Sequence, residues 1–185
     1  MPYDSGYERN FLALISALIS IGRSPRCAAG EPTLGRVRVE QIFELIKGCE
    51  VSIHDLCRVT PPARFNIPFE LGIAYALSRL HGHKFITFEA KEYRSDVTLS
   101  DLKGIDCKAH GNKPRRVISN VLSELGSTQH APDIDKVMKI FDHLCQAVPQ
   151  LKRRHPGSGI FDRPIISALI AAATDRAMRL GVINP

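Results

Sequence analysis

The stretch formed by residues 51–80 constrains the fold of this chain more than any other part of the sequence. It contains an apolar segment that ends at Asp55, a polar loop, and an apolar-periodic segment that begins at Pro68 and has Glu70 in its first turn. Open parallel sheets build their ligand sites from a buried strand, a loop and a helix in this order. The stretch therefore predicts a strand–loop–helix unit with a candidate site at the carboxyl end of the strand.

Strand-like and helix-like segments alternate on both sides of this stretch. Helices are predicted over residues 7–21, 37–47, 68–80, 99–103 and 113–125, and strands over residues 24–28, 51–56, 84–89 and 105–109. This alternation is typical of an α/β protein, specifically a flavodoxin-like doubly wound parallel sheet.

The first strand of such a sheet is short or missing, because only a few residues precede the first helix and Pro2 fits a sheet interior poorly. Residues 1–4 are the tail of that strand, or another segment takes its place, or the true start lies upstream. The sequence leaves these alternatives open.

The character of the chain changes after Gly126. Residues 127–132 have the composition of a linker, and residues 133–148 and 164–180 have helical periodicity. We predict an α/β domain over residues 1–126 and a helical C-terminal extension over residues 127–185. The extension would cover the sheet or mediate self-association.

Charge and composition indicate the kind of partner. The net charge of +6 favours an anionic ligand, but the basic residues are spread out and the chain has no tryptophan. Because few aromatic side chains are present for base stacking, a nucleotide-sized anion suits the charge as well as a polymer does. We therefore rank nucleic-acid binding last.

Cysteine usage and hydropathy indicate the compartment. The five cysteines are an odd number without a CxxC pair, which is typical of reduced thiols in a cytoplasmic protein. The longest apolar segment, residues 11–21, is roughly half of a membrane span. It also lacks the flanks of a signal peptide. We expect a cytoplasmic protein with no membrane partner.

Glu70 and Asp55 are the catalytic candidates. At the head of a helix, Glu70 is either a capping-box glutamate or a carboxylate that faces the ligand crevice, where it could stabilise a cationic, sugar-centred transition state. At a strand end, Asp55 either takes sugar hydroxyls or binds the following turn through the backbone. Both alternatives stay open for each residue.

Residues near the same edge are candidates for substrate binding. The guanidinium groups of Arg58 and Arg64 suit phosphate or carboxylate groups, although solvated loop charges are the commoner outcome. Asn66 lies in the turn before the helix, and Tyr3 and Asp4 lie where a first strand would pass into the first helix. Arg36 and Arg38 could face this edge as well, again with surface charge as the default.

We predict structural roles for three residues near these candidates. Gly72 and Ala74 are small enough for close packing of helix against sheet, and His54 is expected to be a hydrogen-bonded structural histidine more often than a base. Cys57 beside Arg58 could have a lowered pKa, but no base is assigned to it.

Nothing in the chain has the ligand spacing of a metal site, the GxSxG elbow or the HExxH motif.

The strand ending in Asp55, followed by the segment Asn66-Ile-Pro-Phe-Glu70-Leu-Gly-Ile-Ala74, resembles the nucleoside 2-deoxyribosyltransferase-like superfamily and the related bacterial TIR-like proteins. It is most similar to a bacterial group with an arginine–phenylalanine–asparagine turn before a PFELG helix. The resemblance covers residues 1 to about 126. Deoxyribosyltransferases usually have a further acid and a pair of small residues before the helix, where this chain has Arg64-Phe65-Asn66.

The resemblance implies that Glu70 attacks or stabilises C1′ of a nucleoside or of NAD, and that Asp55 holds the ribose. The predicted function is a nucleotide- or nucleoside-binding domain that cleaves or transfers at an N-glycosidic bond, as a glycosidase-type hydrolase or transferase. NAD is then a candidate substrate, and no cofactor is expected. The alternative is a non-catalytic nucleotide-sensing or self-association module, which forms homo-oligomers through the helical tail or the sheet-flanking helices.

Overall fold

A computed structural model describes residues 1–30, 35, 37–58, 65–99, 103–126 and 131–184 of the chain. Within these ranges the helices, in chain order, are α1 Glu8–Ser20, α2 Arg38–Lys47, α3 Asn66–His81, α4 Arg94–Thr98, α5 Pro114–Leu125, α6 Ile134–Arg154 and α7 Arg163–Arg179. The strands are β1 Val51–Asp55, β2 Lys84–Glu89 and β3 Cys107–Ala109, and short 3-10 helices occupy Ser5–Tyr7 and Ala28–Gly30. The chain forms two compact units, residues 1–2 with 32–111 and residues 3–31 with 112–185.

The first unit contains a three-stranded parallel sheet flanked by helices. The strands lie in the order β1-β2-β3, with Asp55 opposite Phe88 and Glu89 opposite Ala109. Helix α3 connects β1 to β2 and packs on both of them, and α2 packs on α3. Parallel neighbours need such a crossover, because a tight turn can join only antiparallel strands. The predicted α/β class is confirmed.

Apolar side chains on two faces of α3 hold this unit together. Ala74 and Leu77 pack with Ile46 of α2, whereas Ile67 and Leu71 pack with Leu56 at the end of β1. The helix ends at Gly82, which has a φ of +70° and donates its N–H to the Ser78 carbonyl. A residue without Cβ adopts this left-handed conformation at little cost.

The role predicted for Gly72 is wrong, whereas the role of Ala74 is supported. Gly72 is exposed, and a Cβ built on it would have no neighbour within 4 Å. Ala74 is fully buried, in a cluster that contains Ile46 of α2 and packs against Phe85 of β2. Helical periodicity explains the difference, since residues two apart on a helix point to different faces.

The second unit is helical. Helix α1 packs against α5, α6 and α7, and α6 packs against α7. Two buried serines have local partners: Ser16 Oγ donates to the Leu12 carbonyl at 2.8 Å and Ser20 Oγ to the Ala17 carbonyl at 2.7 Å. Helix α6 continues through Pro149 to Arg154, beyond the predicted end at residue 148. The predicted helices over residues 7–21, 113–125 and 164–180 are confirmed with small shifts at their ends.

One predicted strand, residues 24–28, is not a strand, and neither is the possible strand tail at residues 1–4. Residues 24–28 have no strand conformation, because Pro25 has no N–H to donate to a neighbour and the segment offers few apolar side chains for burial. Residues 1–4 also lack strand conformation and lead into the 3-10 helix Ser5–Tyr7.

The predicted helix over residues 99–103 is misplaced. A helix lies at Arg94–Thr98 instead, and Leu99 is not helical; residues 100–102 lie outside the described ranges. Residues 127–130 of the predicted linker, residues 127–132, also lie outside them.

The two compact units do not follow the predicted division at residue 126. They are defined by contacts within the molecule, and the division into domains 1–126 and 127–185 stays a prediction. Among the helices in the described ranges, none is both long and apolar enough to cross a membrane.

Candidate functional site

All three strands of the sheet end in ionisable side chains. Asp55 is the last residue of β1, Glu89 is the last residue of β2, and His110 directly follows β3. All three are buried, with at most 3% of their surface exposed. Because the strands are parallel, their carboxyl ends meet at one edge of the sheet. Sequence reasoning identified only Asp55 here, although Glu89 carries the same signal of an acid at a strand end.

The side chains of Asp55 and His110 are in contact at the sheet edge. Asp55 Oδ2 lies 3.0 Å from His110 Nε2, and neither side chain has exposed surface. The other carboxylate oxygen, Oδ1, accepts a hydrogen bond from the Cys57 backbone N–H at 3.0 Å. Asp55 therefore binds the turn that follows its own strand, as one of its two interpretations predicted. A ribose hydroxyl has no exposed surface of Asp55 to contact.

The Cys57 thiol is not an activated nucleophile. Burial raises its pKa above the ordinary thiol range, and the charge of Asp55 and a hydrogen bond to its carboxylate raise it further. Arg58 acts in the opposite direction with a smaller effect. The lowered pKa suggested by the sequence is wrong, because removal of the thiol from water outweighs the neighbouring guanidinium.

Glu89 organises the chain after β2. Its Oε1 accepts from the Tyr93 N–H at 2.8 Å, and its Oε2 accepts from the Ser95 N–H at 3.0 Å and from Ser95 Oγ at 2.9 Å. Tyr93 has a φ of 60°, a conformation that is uncommon for residues other than glycine. The Glu89 carboxylate therefore supports a strained turn into α4.

Glu70 is the fifth residue of α3, because the helix begins at Asn66 rather than at Pro68. Pro68 fits the third position, since the first N–H groups of a helix have no intrahelical partner. The prediction that Glu70 lies in the first turn is wrong, and so is its capping-box interpretation. The residue that caps α3 is Phe65, which makes no side-chain cap.

The Glu70 carboxylate is half-buried and has polar neighbours. Burial raises its pKa, while Arg38 at the start of α2 and a side-chain hydrogen bond with Asn66 favour the charged form and limit the rise. Glu70, Asn66 and Arg38 thus form one group at the head of α3. The contacts of Asp55, described above, form a second group, with Cys57 and His110.

Five predicted residues remain: Tyr3, Asp4, Arg58, Arg64 and Arg36. Tyr3 and Asp4 belong to the helical unit: the Cys27 thiol donates to Tyr3 Oη at 3.7 Å, and the Asp4 carbonyl accepts from the Tyr7 N–H at 2.9 Å. Arg58 is half-buried next to Cys57. Arg64 and Arg36 lie outside the described residues.

His54 is buried and hydrogen-bonded, as expected for a structural histidine. Its Nε2 lies 2.9 Å from Ser52 Oγ, which lies 2.9 Å from His83 Nε2. Burial lowers the pKa of His54 to about 3, so the imidazole is neutral at physiological pH.

A groove of about 720 Å³ runs between α2 and α3. Apolar side chains line most of it, together with the carboxylates of two glutamates; the lining residues are Val39, Glu40, Phe43, Glu44, Phe69 and Ile73. Its volume is in the range of small-molecule sites. Within the described ranges, no group of three or more His, Cys, Asp or Glu residues could hold a metal ion.

Comparisons of the chain with protein-family models, with curated proteins and with solved structures found no match. The Asp55 group is closed to solvent, whereas the Glu70 group at the head of α3 is partly open.

Proposed function

We propose that this chain binds a nucleoside or nucleotide at the head of α3 and that Glu70 acts on its N-glycosidic bond. The observation that supports this proposal is the setting of Glu70, a half-buried carboxylate with a raised pKa beside a guanidinium and an amide. Carboxylates with perturbed pKa values are candidates for functional sites. NAD and deoxynucleosides are the candidate substrates.

The proposed reaction breaks the bond between C1′ of the sugar and the base nitrogen. The base leaves with the bonding electron pair: nicotinamide leaves NAD as a neutral molecule, whereas the base of a deoxynucleoside takes a proton from water. The ionised Glu70 carboxylate stabilises the positive charge that develops on the sugar. A water oxygen then bonds to C1′ and releases its proton, which completes hydrolysis. Attack by a second base instead of water gives transfer. Arg38 would pair with a phosphate, and Asn66 would orient the carboxylate.

We extend the proposal to the fold. The parallel order β1-β2-β3 with α3 as a crossover supports a flavodoxin-like doubly wound sheet, in which ligands bind at the carboxyl ends of the strands. In this arrangement the head of α3 directly follows the loop after β1, which is the usual place for substrate contacts.

One observation favours a second candidate function, a nucleotide-sensing module without catalysis. Asp55 is fully buried against His110 and Cys57, so it offers no surface to a ribose in this structure. A site in which Glu70 is accessible but Asp55 cannot hold the ribose would bind a ligand more readily than it would cleave one.

Base release from NAD and from deoxynucleosides, followed by chromatography, tests these alternatives. We expect release by the native protein, loss of release in Glu70→Gln, and normal release in the control Glu92→Gln, which removes an exposed carboxylate in the same unit. Undiminished release by Glu70→Gln would contradict the catalytic role of Glu70. A ligand-induced thermal shift without release would favour the sensing module. Neither release nor a shift would overturn both.

A further inference from the structure

Helices α2 and α3 present an exposed apolar surface. Val39 and Phe43 are one turn apart on α2, and Phe69 and Ile73 are one turn apart on α3. Val39, Phe43 and Phe69 are 40%, 38% and 57% exposed. Side chains one turn apart lie on the same face of a helix, so these two pairs form the walls of a continuous groove. A contiguous apolar patch of this kind marks an interaction site more often than scattered exposed residues do.

Two glutamates are among the residues that line the groove. Glu40 and Glu44 lie one turn apart on α2, both are exposed, and no ion pair joins either of them to another described residue. The cations of α2 lie at its two ends, Arg38 at the start and Lys47 at the finish. Lys47 Nζ is 5.9 Å from the centre of the Phe43 ring.

We propose that this groove binds an amphipathic basic helix of a partner protein. A third helix is the natural occupant of a groove between two packed helices, because its apolar ridge fits between theirs. The partner would place apolar side chains between Phe43 and Phe69, and lysines or arginines opposite Glu40 and Glu44. This chain has a net charge of +6, so a basic partner is repelled by the molecule as a whole and its binding depends on the local carboxylates.

The groove and the proposed nucleoside site use different side chains. Glu70 makes its contacts with Asn66 and Arg38, whereas the groove is lined by Phe69 and Ile73 of the same helix. Base release and helix binding are measured in separate assays. The two proposals can fail independently.

A pair of model helical peptides tests the proposal. Both are about 18 residues long, above the roughly 12–15 residues below which isolated helices are marginal. They share the same leucine positions, and their polar positions are all lysine in one peptide and all glutamate in the other. Fluorescence anisotropy with the labelled peptides should show saturable binding of the lysine peptide and much weaker binding of the glutamate peptide.

Matched variants locate the binding surface. Phe69→Ser and the double variant Glu40→Gln/Glu44→Gln should each weaken binding of the lysine peptide about thirtyfold, the smallest loss that defines an interface hot spot. The control Leu80→Ser changes an exposed apolar residue (74% exposed) at the other end of α3 and should leave binding unchanged. Thermal melting checks that each variant is folded.

Several results would overturn the proposal. Equal binding of both peptides would show that apolar adhesion, not charge, drives the association. Unchanged binding by Glu40→Gln/Glu44→Gln, or no binding of the lysine peptide by the native protein, would exclude a basic helix in this groove. A self-associated native protein that becomes monomeric in Phe69→Ser, measured by sedimentation, would assign the groove to a second copy of the chain instead.

Discussion

Removal of the His110 side chain should destabilise the α/β unit severely. Asp55 and His110 are 3.0 Å apart and neither has exposed surface, so His110→Ala leaves the Asp55 carboxylate buried without its imidazole partner. Breaking a buried pair from one side costs about 3–5 kcal/mol. This is a large fraction of the roughly 5–15 kcal/mol by which a typical domain is stable. With a urea slope of about 1–3 kcal/mol/M, the unfolding midpoint should fall by at least about 1 M.

The assay has to report on the sheet alone. The chain has two compact units, and independent unfolding of the two would invalidate a single two-state fit. Hydrogen exchange of the β2 amides, followed by mass spectrometry at increasing urea concentration, measures the opening free energy of the sheet. The helical unit serves as an internal control, and its exchange should not change in His110→Ala.

A double-mutant cycle separates the pair from general loss of packing, since the His110 ring also lies edge-on to Phe88. Asp55→Asn keeps an oxygen that can accept from the Cys57 N–H, so it removes the charge but not the turn contact. We expect a coupling energy between Asp55→Asn and His110→Ala well above the roughly 0.5 kcal/mol seen for independent sites. A coupling energy below that value would refute the view that these two side chains stabilise each other.

Four further measurements test the structure. The folded-state pKa of Glu70 is raised above the usual 4.5, so the stabilising effect of this group is complete below pH 4.5 and is lost as pH rises through the raised pKa. Glu70→Gln should therefore melt at a higher temperature than the native protein only above that pH. Equal melting temperatures at all pH values would contradict this. The pKa of His54 is about 3 in the folded protein, against an ordinary value of 6.5, so its contribution to stability is present above pH 6.5 and is lost as pH falls towards 3. His54→Gln should flatten this part of the dependence of unfolding free energy on pH. An unchanged slope would argue against a neutral buried imidazole. Gly72→Ala, at an exposed helical position with free space, should stabilise the protein by about 0.5–1 kcal/mol in urea melts. Gly82→Ala, at a φ of +70°, should destabilise it by about 1 kcal/mol. Changes of the same sign in both variants would disprove the assigned conformations. The Cys57 thiol should react with iodoacetamide far more slowly in the folded than in the urea-unfolded protein, by mass spectrometry, and equal rates would show that it is not buried.

The alternation of strand and helix around residues 51–80 could be predicted because its periodicity is local. Buried parallel strands are short apolar runs, and α3 carries an apolar pattern that repeats every three or four residues. Residues 24–28 show the limit of this approach. Nothing in a five-residue window tells whether a neighbouring strand exists to pair with it, and pairing is what makes a strand.

The position of the candidate site was predicted better than its contacts. Asp55 does end a strand, but its partner His110 is 55 positions later in the sequence, and the parallel order of the strands brings the two together. Glu89 and His110 follow the same rule as Asp55, so an analysis of every strand end would have found them. The burial of all three could not be read from local sequence, because it depends on which elements pack around the sheet edge.

The arrangement of the helical unit determines when α1 can be buried during synthesis. Ten of its thirteen residues are buried, and its packing partners are α5, α6 and α7. Residues 21–113 must be added before α5 begins, which takes on the order of 5–20 s at about 5–20 residues per second. During this interval an apolar helix leaves the ribosome without its partners, while the strands and helices of the α/β unit follow it in continuous sequence. We therefore expect that the nascent chain depends on a chaperone for α1, and that this helix, although made well before its partners, is among the last segments to reach its final packing.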